Sequence, residues 1–330
     1  MCSGDGAPLP TRGWLRNAQG LRLATYHWPA ECGADGGSSP ARAGGKGVVV
    51  CAHGLDVHAR FELLSAPRPG ERHSENAGTA AALQAAGMHV VAMDHQSYGE
   101  SEGALGPSYR SFFWSFDDLV RDFTQLVEQV RADERYAGLP VFIKGTSLGG
   151  GVCLAVAARR PELVDGFVLV APLISLDRVK AHGWNKILLP IGGLMSLLYP
   201  TLPAGSKSPN PDVTRYAEFE SDPLTHKGAV RARVAIEVLR YTDDVKELIP
   251  KVRAPFLVLH SPDDNMTEFE GSKALHDGAS TPAELKALDA VEGWHALLHD
   301  ENAPKHRTRI TQWLDALCQR LRKGKMAEET

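Results

Sequence analysis

Lys144-Gly145-Thr146-Ser147-Leu148-Gly149-Gly150 is the stretch from which the rest of the chain can be read. It contains Gly-x-Ser-x-Gly, a pattern that arises easily by chance in a chain with 32 glycines. Its neighbours give it weight. Pro140-Val141-Phe142-Ile143 is apolar and β-prone, as in a short buried strand, and Gly151 to Ala158 is small and apolar, as in a helix. Strand, sharp turn and helix around a serine is the setting of a nucleophile elbow. Small residues flank the serine because the turn presses the strand end against the helix start, where side chains would collide. The serine then stands at a helix N-terminus, whose first N–H groups lack helical partners and can face a developing oxyanion. A serine that only caps the helix is the plainer alternative; the strand before and the helix after favour the nucleophile.

Outward from this point the chain alternates. Leu21 to Trp28 reads as a strand after a hairpin turn at Asn17-Ala18-Gln19-Gly20, and Val48 to Ala52 as a central strand. Glu31 to Gly47 is Gly/Ala/Ser-rich and reads as a loop, and Leu55 to Glu75 as polar and irregular. A helix at Ala77 to Ala86 leads to a strand at Met88 to Met93. Phe112, Phe116, Leu119, Val120, Phe123, Leu126, Val127 and Val130 recur with helical period, which predicts an amphipathic helix over 111–133. A strand at 166–171 follows the elbow helix. The rhythm then breaks over 173–245, with Pro, Gly and Ser punctuation and helical pieces such as Ala229 to Leu239. It resumes with a strand at 255–260, a helix near 269–277, a strand at 285–290 and a last helix at 305–322. This predicts an α/β fold, a mostly parallel sheet with helices on both faces. The core is 1–172 and 246–330, and 173–245 is an inserted, mainly helical cap above the C-terminal ends of the strands.

Bulk properties narrow the function. Hydrophobic residues make up 43% of the 330, enough for a sizeable core, and the net charge of −4 is mild. No basic block points to nucleic acid. Five widely spaced cysteines without a C-x-x-C pattern argue for reduced thiols and a cytoplasmic setting. Met1-Cys2-Ser3-Gly4-Asp5-Gly6 has the charge and hydropathy of no secretory leader, and no run approaches the length of a membrane span.

A serine hydroxyl needs a base to take its proton, and the base needs a carboxylate to hold its tautomer. Around an elbow of this type the chain order is Ser, acid, His. Both partners follow predicted strands in that order. Ser261-Pro262-Asp263-Asp264-Asn265-Met266 offers two acids, and Val291-Glu292-Gly293-Trp294-His295-Ala296-Leu297-Leu298-His299 offers two histidines. The i,i+4 histidine spacing could suit zinc on a helix, but no His-Glu-x-x-His and no third ligand accompany it, so no metal is expected. The oxyanion donors are read as the N–H of Leu148, after the nucleophile, and of Leu55, in the loop His53-Gly54-Leu55. His53 reads as support for that loop rather than as a base.

With those residues in view, the chain resembles the monoacylglycerol lipases and related lysophospholipases of the α/β-hydrolase superfamily. The resemblance rests on His53-Gly54-Leu55, Asp94-His95-Gln96-Ser97-Tyr98-Gly99-Glu100-Ser101-Glu102-Gly103, Gly145-Thr146-Ser147-Leu148-Gly149-Gly150, Ser221-Asp222-Pro223-Leu224, Val252 to His260 and Trp294-His295. It covers about residues 12–318. It implies an α/β-hydrolase fold and a Ser147–His295–Asp264 triad, Asp264 being the aspartate two residues before the hydrophobic position held by Met266. It also implies hydrolysis of carboxylic esters, monoacylglycerols or lysophospholipids, through an acyl-enzyme and without metal or organic cofactor. Thr146 departs from the pattern, standing where histidine is frequent. So do Leu55, which is bulkier than usual, and Ser65 to His73, which lengthen their loop. A soluble-ester esterase or thioesterase would use the same triad, and a hydrolase-fold receptor for a small apolar ligand would barely turn it over. The apolar run Trp184 to Tyr199, interrupted by Pro190 and two glycines, is too short to span a bilayer. It is expected to line an acyl pocket or make peripheral membrane contact, with ordinary cap-to-core packing as the plainer alternative.

Overall fold

The apolar runs read as strands pair into one eight-stranded sheet. The computed structural model describes residues 10–31, 44–66, 73–181, 185–205 and 213–328. Most of the loop expected over 31–47, and part of 65–73, lie outside these residues. Strands β1 (Thr11–Arg16) and β2 (Arg22–Trp28) form an antiparallel hairpin. Its turn is built locally: Asn17 Oδ1 accepts the N–H groups of Gln19 and Leu21, and Gly20 supplies a φ of 83°. Then come β3 (Gly47–Ala52), β4 (Met88–Met93), β5 (Val141–Thr146), β6 (Gly166–Val170), β7 (Phe256–His260) and β8 (Lys286–Ala290). The order across the sheet is β1-β2-β4-β3-β5-β6-β7-β8, parallel from β4 onward. Every residue of β3 to β7 is buried, because helices cover both faces.

On one face lie α3 (Phe116–Ala132), α4 (Leu148–Arg159) and α8 (Ala232–Leu248); on the other lie α1 (Ala59–Leu63), α2 (Thr79–Ala85) and α10 (Ala303–Glu328). The helix expected over 111–133 starts five residues later. Ser115 and Asp118 form a capping box that sets its first turn, and Phe112 and Phe113 enter the core from a loop. Between β6 and β7 come α5 (Asp177–Ala181), α6 (Asn185–Leu198), α7 (Val213–Ser221), α8 and a two-stranded ribbon of Pro203–Gly205 with Val230–Arg231. The helix expected at 229–239 runs instead over 232–248 and joins the core layer: Tyr241 stacks on Phe116 at 3.8 Å and donates to Gly151 O at 2.6 Å. The run expected to break at Pro190 is continuous helix in α6. One proline removes only one backbone bond, and α6 also packs on α8. Helix α9 (Phe269–Gly278) lies between β7 and β8. Cys51, Cys153 and Cys318 are free and buried. Among the described residues no helix is long and apolar enough to cross a membrane.

Candidate active site

Ser147 stands at the junction of β5 and α4 with φ 52° and ψ −119°, a conformation an L residue holds only where its surroundings impose it. They do so here. The Ser147 N–H donates to Val170 O at 3.0 Å, and its carbonyl accepts the N–H groups of Leu173 at 2.9 Å and Gly151 at 3.2 Å. The flanking glycines are required by contact. A Cβ on Gly145 would strike the Gly149 carbonyl, and one on Gly149 would strike the carbonyl oxygens of Ala52 and His53. A Cβ on Gly150 would stand 2.7 Å from Pro172 Cβ. Backbone cannot step aside as a flexible side chain can. Gly149→Ala should therefore lower unfolding free energy by about 3 kcal/mol or more, at the upper end of overpacking costs, as measured by urea denaturation.

The loop after β3 leans on this elbow. A Cβ on Gly54 would lie 3.5 Å from Ser147 Cβ and 3.7 Å from Thr146 O. Leu55 is half-buried in that loop, and Leu148 is buried at the first position of α4. His53 holds the loop: its Nδ1–H donates to Gly54 O at 2.8 Å, and its Nε2 accepts the His95 N–H at 2.9 Å. Burial pushes its pKa down to about 3, so the ring is neutral and both nitrogens serve structure.

Asp263 and Asp264 part company in the turn after β7. Asp263 is exposed, whereas Asp264 is 2% exposed. Asp264 Oδ1 accepts the N–H groups of Met266 at 2.7 Å and Thr267 at 3.1 Å. Its Oδ2 accepts His295 Nδ1–H at 2.7 Å, which leaves Nε2 of that ring as the lone-pair nitrogen. His260 Nε2 lies 3.2 Å from the same oxygen, while its Nδ1 takes the Ser272 hydroxyl at 2.7 Å. Burial by itself would raise the Asp264 carboxyl, but the hydrogen bonds from His260 and His295 outweigh it and hold the group well below the ordinary carboxylate range.

The two turns are tied together. Ser261 Oγ donates to Gly293 O at 2.6 Å, and Gly293 itself has φ 128°. The Thr267 hydroxyl sits 3.0 Å from Asp264 Oδ2 and 3.1 Å from Ala171 O. Sequence reasoning passed over His260, Ser261 and Thr267. The available signal was a histidine closing the apolar run Phe256 to Leu259, since a fully buried polar ring must find partners. His299 does not join His295. Its Nε2 donates to the Glu62 carbonyl at 3.0 Å, in a turn ahead of α10 rather than at the start of a helix. Ser147, Asp264 and His295 thus follow β5, β7 and β8, all at the C-terminal edge of the parallel sheet.

A family model described as "Serine aminopeptidase, S33" matches residues 45–302. The human protein named monoglyceride lipase is 30% identical over 260 residues, covering 78% of this chain and 77% of its own. The Mycolicibacterium smegmatis protein named monoacylglycerol lipase is 28% identical over 276 residues, covering 82% of this chain and 88% of its own. Among solved structures, a soluble variant of monoglyceride lipase from Saccharomyces cerevisiae, in complex with a substrate analog, superposes with a TM-score of 0.74. At 19% identity, over 94% of this chain and 96% of the other, that likeness speaks for the α/β-hydrolase fold.

Proposed function

Since the chain belongs to the family described as serine aminopeptidase, S33, and is a carboxylic ester hydrolase of the monoacylglycerol lipase type, we propose that it cleaves monoacylglycerols or lysophospholipids through a Ser147–His295–Asp264 triad. Ser147 Oγ attacks the ester carbonyl while His295 Nε2 takes its proton. The N–H groups of Leu55 and Leu148 receive the oxyanion. The tetrahedral species collapses by breaking the bond to the leaving alcohol, which receives the proton from His295. Water, deprotonated by the same nitrogen, then attacks the acyl-enzyme and releases the fatty acid and free Ser147. Asp264 holds the Nδ1–H tautomer and stabilises the imidazolium. The observation that most supports this reading is the 2.7 Å bond from His295 Nδ1 to Asp264 Oδ2, at the same sheet edge as the strained Ser147.

On this reading residues 173–245 act as a cap over the strand ends, with α8 shared between cap and core. Leu194, Leu197, Leu198, Tyr199 and Leu202 are all about half exposed or more. Such exposure speaks against their serving mainly to pack the cap onto the core. Their exposure supports peripheral contact with a lipid surface, from which an apolar substrate would be drawn.

The reading is tested by hydrolysis rates over a series of acyl esters from acetyl to decanoyl. If the acyl chain is buried on binding, kcat/KM should climb with length, each methylene being worth about 0.8 kcal/mol or roughly fourfold until the pocket is full. A flat or falling profile would instead indicate an esterase for soluble esters. A second test concerns α6. Leu197→Asp combined with Leu198→Asp should cut sedimentation with anionic lipid vesicles by about tenfold or more, each exposed leucine otherwise burying apolar area worth 1.5–3 kcal/mol. Hydrolysis of p-nitrophenyl acetate should be unchanged. Equal loss on both would count against lipid contact.

A further inference from the structure

Lys144 is wholly buried in the central strand of the sheet, opposite Cys51 on β3 and Val168 on β6. It shares that face with the apolar cluster of Val49, Cys51, Phe142, Val168 and Val170. A hydrophobic residue is what such a position calls for. A buried ion pair rarely adds stability over apolar residues of the same volume, so its presence asks for another reason.

The contacts suggest one. Lys144 Nζ donates to Glu62 Oε1 at 3.0 Å and to Thr146 Oγ1 at 2.7 Å. Thr146 immediately precedes Ser147 and is one of the positions at which this chain departs from its family pattern. Glu62 lies on α1, which starts directly after the loop holding Leu55. That connection is stiff, because Ala59 N–H donates to Asp94 Oδ1 at 2.8 Å and Glu62 N–H to His58 O at 2.9 Å. The Glu62 carbonyl in turn accepts His299 Nε2, four residues beyond His295. One ammonium group therefore joins the strand before the nucleophile to the segment after the oxyanion loop, and through Glu62 to the turn carrying the base.

We propose that Lys144 is a positioning residue, which through Glu62 and Thr146 sets the oxyanion loop in register with the nucleophile elbow. The proposal rests on Ser147 being the nucleophile and on Leu55 and Leu148 being the oxyanion donors. A donor displaced from the developing oxyanion loses its effect on kcat with little effect on substrate binding.

The experiment uses three variants of the full chain with a soluble short-chain ester. Lys144→Met alone leaves Glu62 as an unpaired buried charge and is expected to destabilise the fold. Lys144→Met combined with Glu62→Leu removes the whole pair, so its melting temperature should return towards wild type. If the pair positions the loop, kcat of this double variant stays down by about tenfold to a hundredfold while KM changes less than about twofold. Thr146→Val cuts only the Lys144–Thr146 bond in a side chain of the same shape, and its kcat should fall by about fivefold at constant KM. Phosphonylation of Ser147 by a fluorophosphonate should slow in parallel with kcat, since its oxygen uses the same donors. A double variant with wild-type stability and wild-type kcat overturns the proposal, as does a Thr146→Val enzyme with wild-type kcat should the double variant fail to fold. Turnover and labelling that survive in Ser147→Ala would instead overturn the underlying assignment.

Discussion

Ser147→Ala should reduce ester turnover by about 10³ to 10⁶ while leaving the fold intact. The size of the loss follows from what the residue does in the proposed reaction: without Oγ no acyl-enzyme forms, and only binding and the oxyanion donors remain. The fold should survive because the Ser147 contacts that hold the elbow are backbone bonds to Val170, Gly151 and Leu173, which alanine keeps. Its side chain makes no helix-capping bond that could be lost. The checks are far-UV circular dichroism, a melting curve and labelling by a fluorophosphonate probe. The wild type should be labelled with one equivalent and the variant not at all. Labelling of the variant at the wild-type rate would move the nucleophile elsewhere.

Asp264→Asn should cost about 10⁴ in kcat, the scale of a histidine left in the wrong tautomer. An amide at this position can present its N–H₂ to His295 Nδ1. The ring then carries its proton on Nε2, where the base must be vacant. Asp263→Asn should cost less than about threefold, since an exposed charge is screened by solvent and touches neither histidine. Comparing the two in one kinetic series decides between them, and the opposite ranking would transfer the role to Asp263. Because hydrogen bonds from His260 and His295 hold the Asp264 carboxyl far down, its share of stability is present above the ordinary carboxylate range. That share is lost progressively as pH falls from the ordinary carboxylate range through the depressed value. In Asp264→Asn the unfolding transition at neutral pH should therefore move to lower denaturant, and the gap to wild type should close on strong acidification.

The elbow was legible because its chemistry is local. Three glycines around a serine, between an apolar strand and a small-residue helix, describe one turn, and the contact that forbids a Cβ at Gly145 lies within it, whereas those at Gly149 and Gly150 come from the β3 end and from Pro172. The sheet was legible for the same reason, each strand being a short apolar run bounded by turn residues. Boundaries were less so. The start of α3 depended on a capping box at Ser115, which helical periodicity alone does not locate. The end of α8 depended on Tyr241 and Val245 meeting α4 and the core.

By itself the sequence determined the α/β alternation, the strand–turn–helix around Ser147, and the two segments from which an acid and a base could come. It could not separate Asp263 from Asp264 by spacing, because adjacent residues in a turn differ only in which way the turn points them. Tertiary structure decided which of the two lies beside a histidine. Asp264 faces His295 and His260 in a buried pocket closed by Thr267, and Asp263 faces solvent. It decided likewise that α6 presents Leu194, Leu197 and Leu198 outward, since helical hydrophobicity has the same composition whether the far side meets protein or water. The Lys144–Glu62 pair lay furthest from the reach of sequence. Its partners are 82 residues apart, and only the pairing of β3, β4 and β5 and the docking of α1 on that sheet face bring a buried charge to its counter-charge.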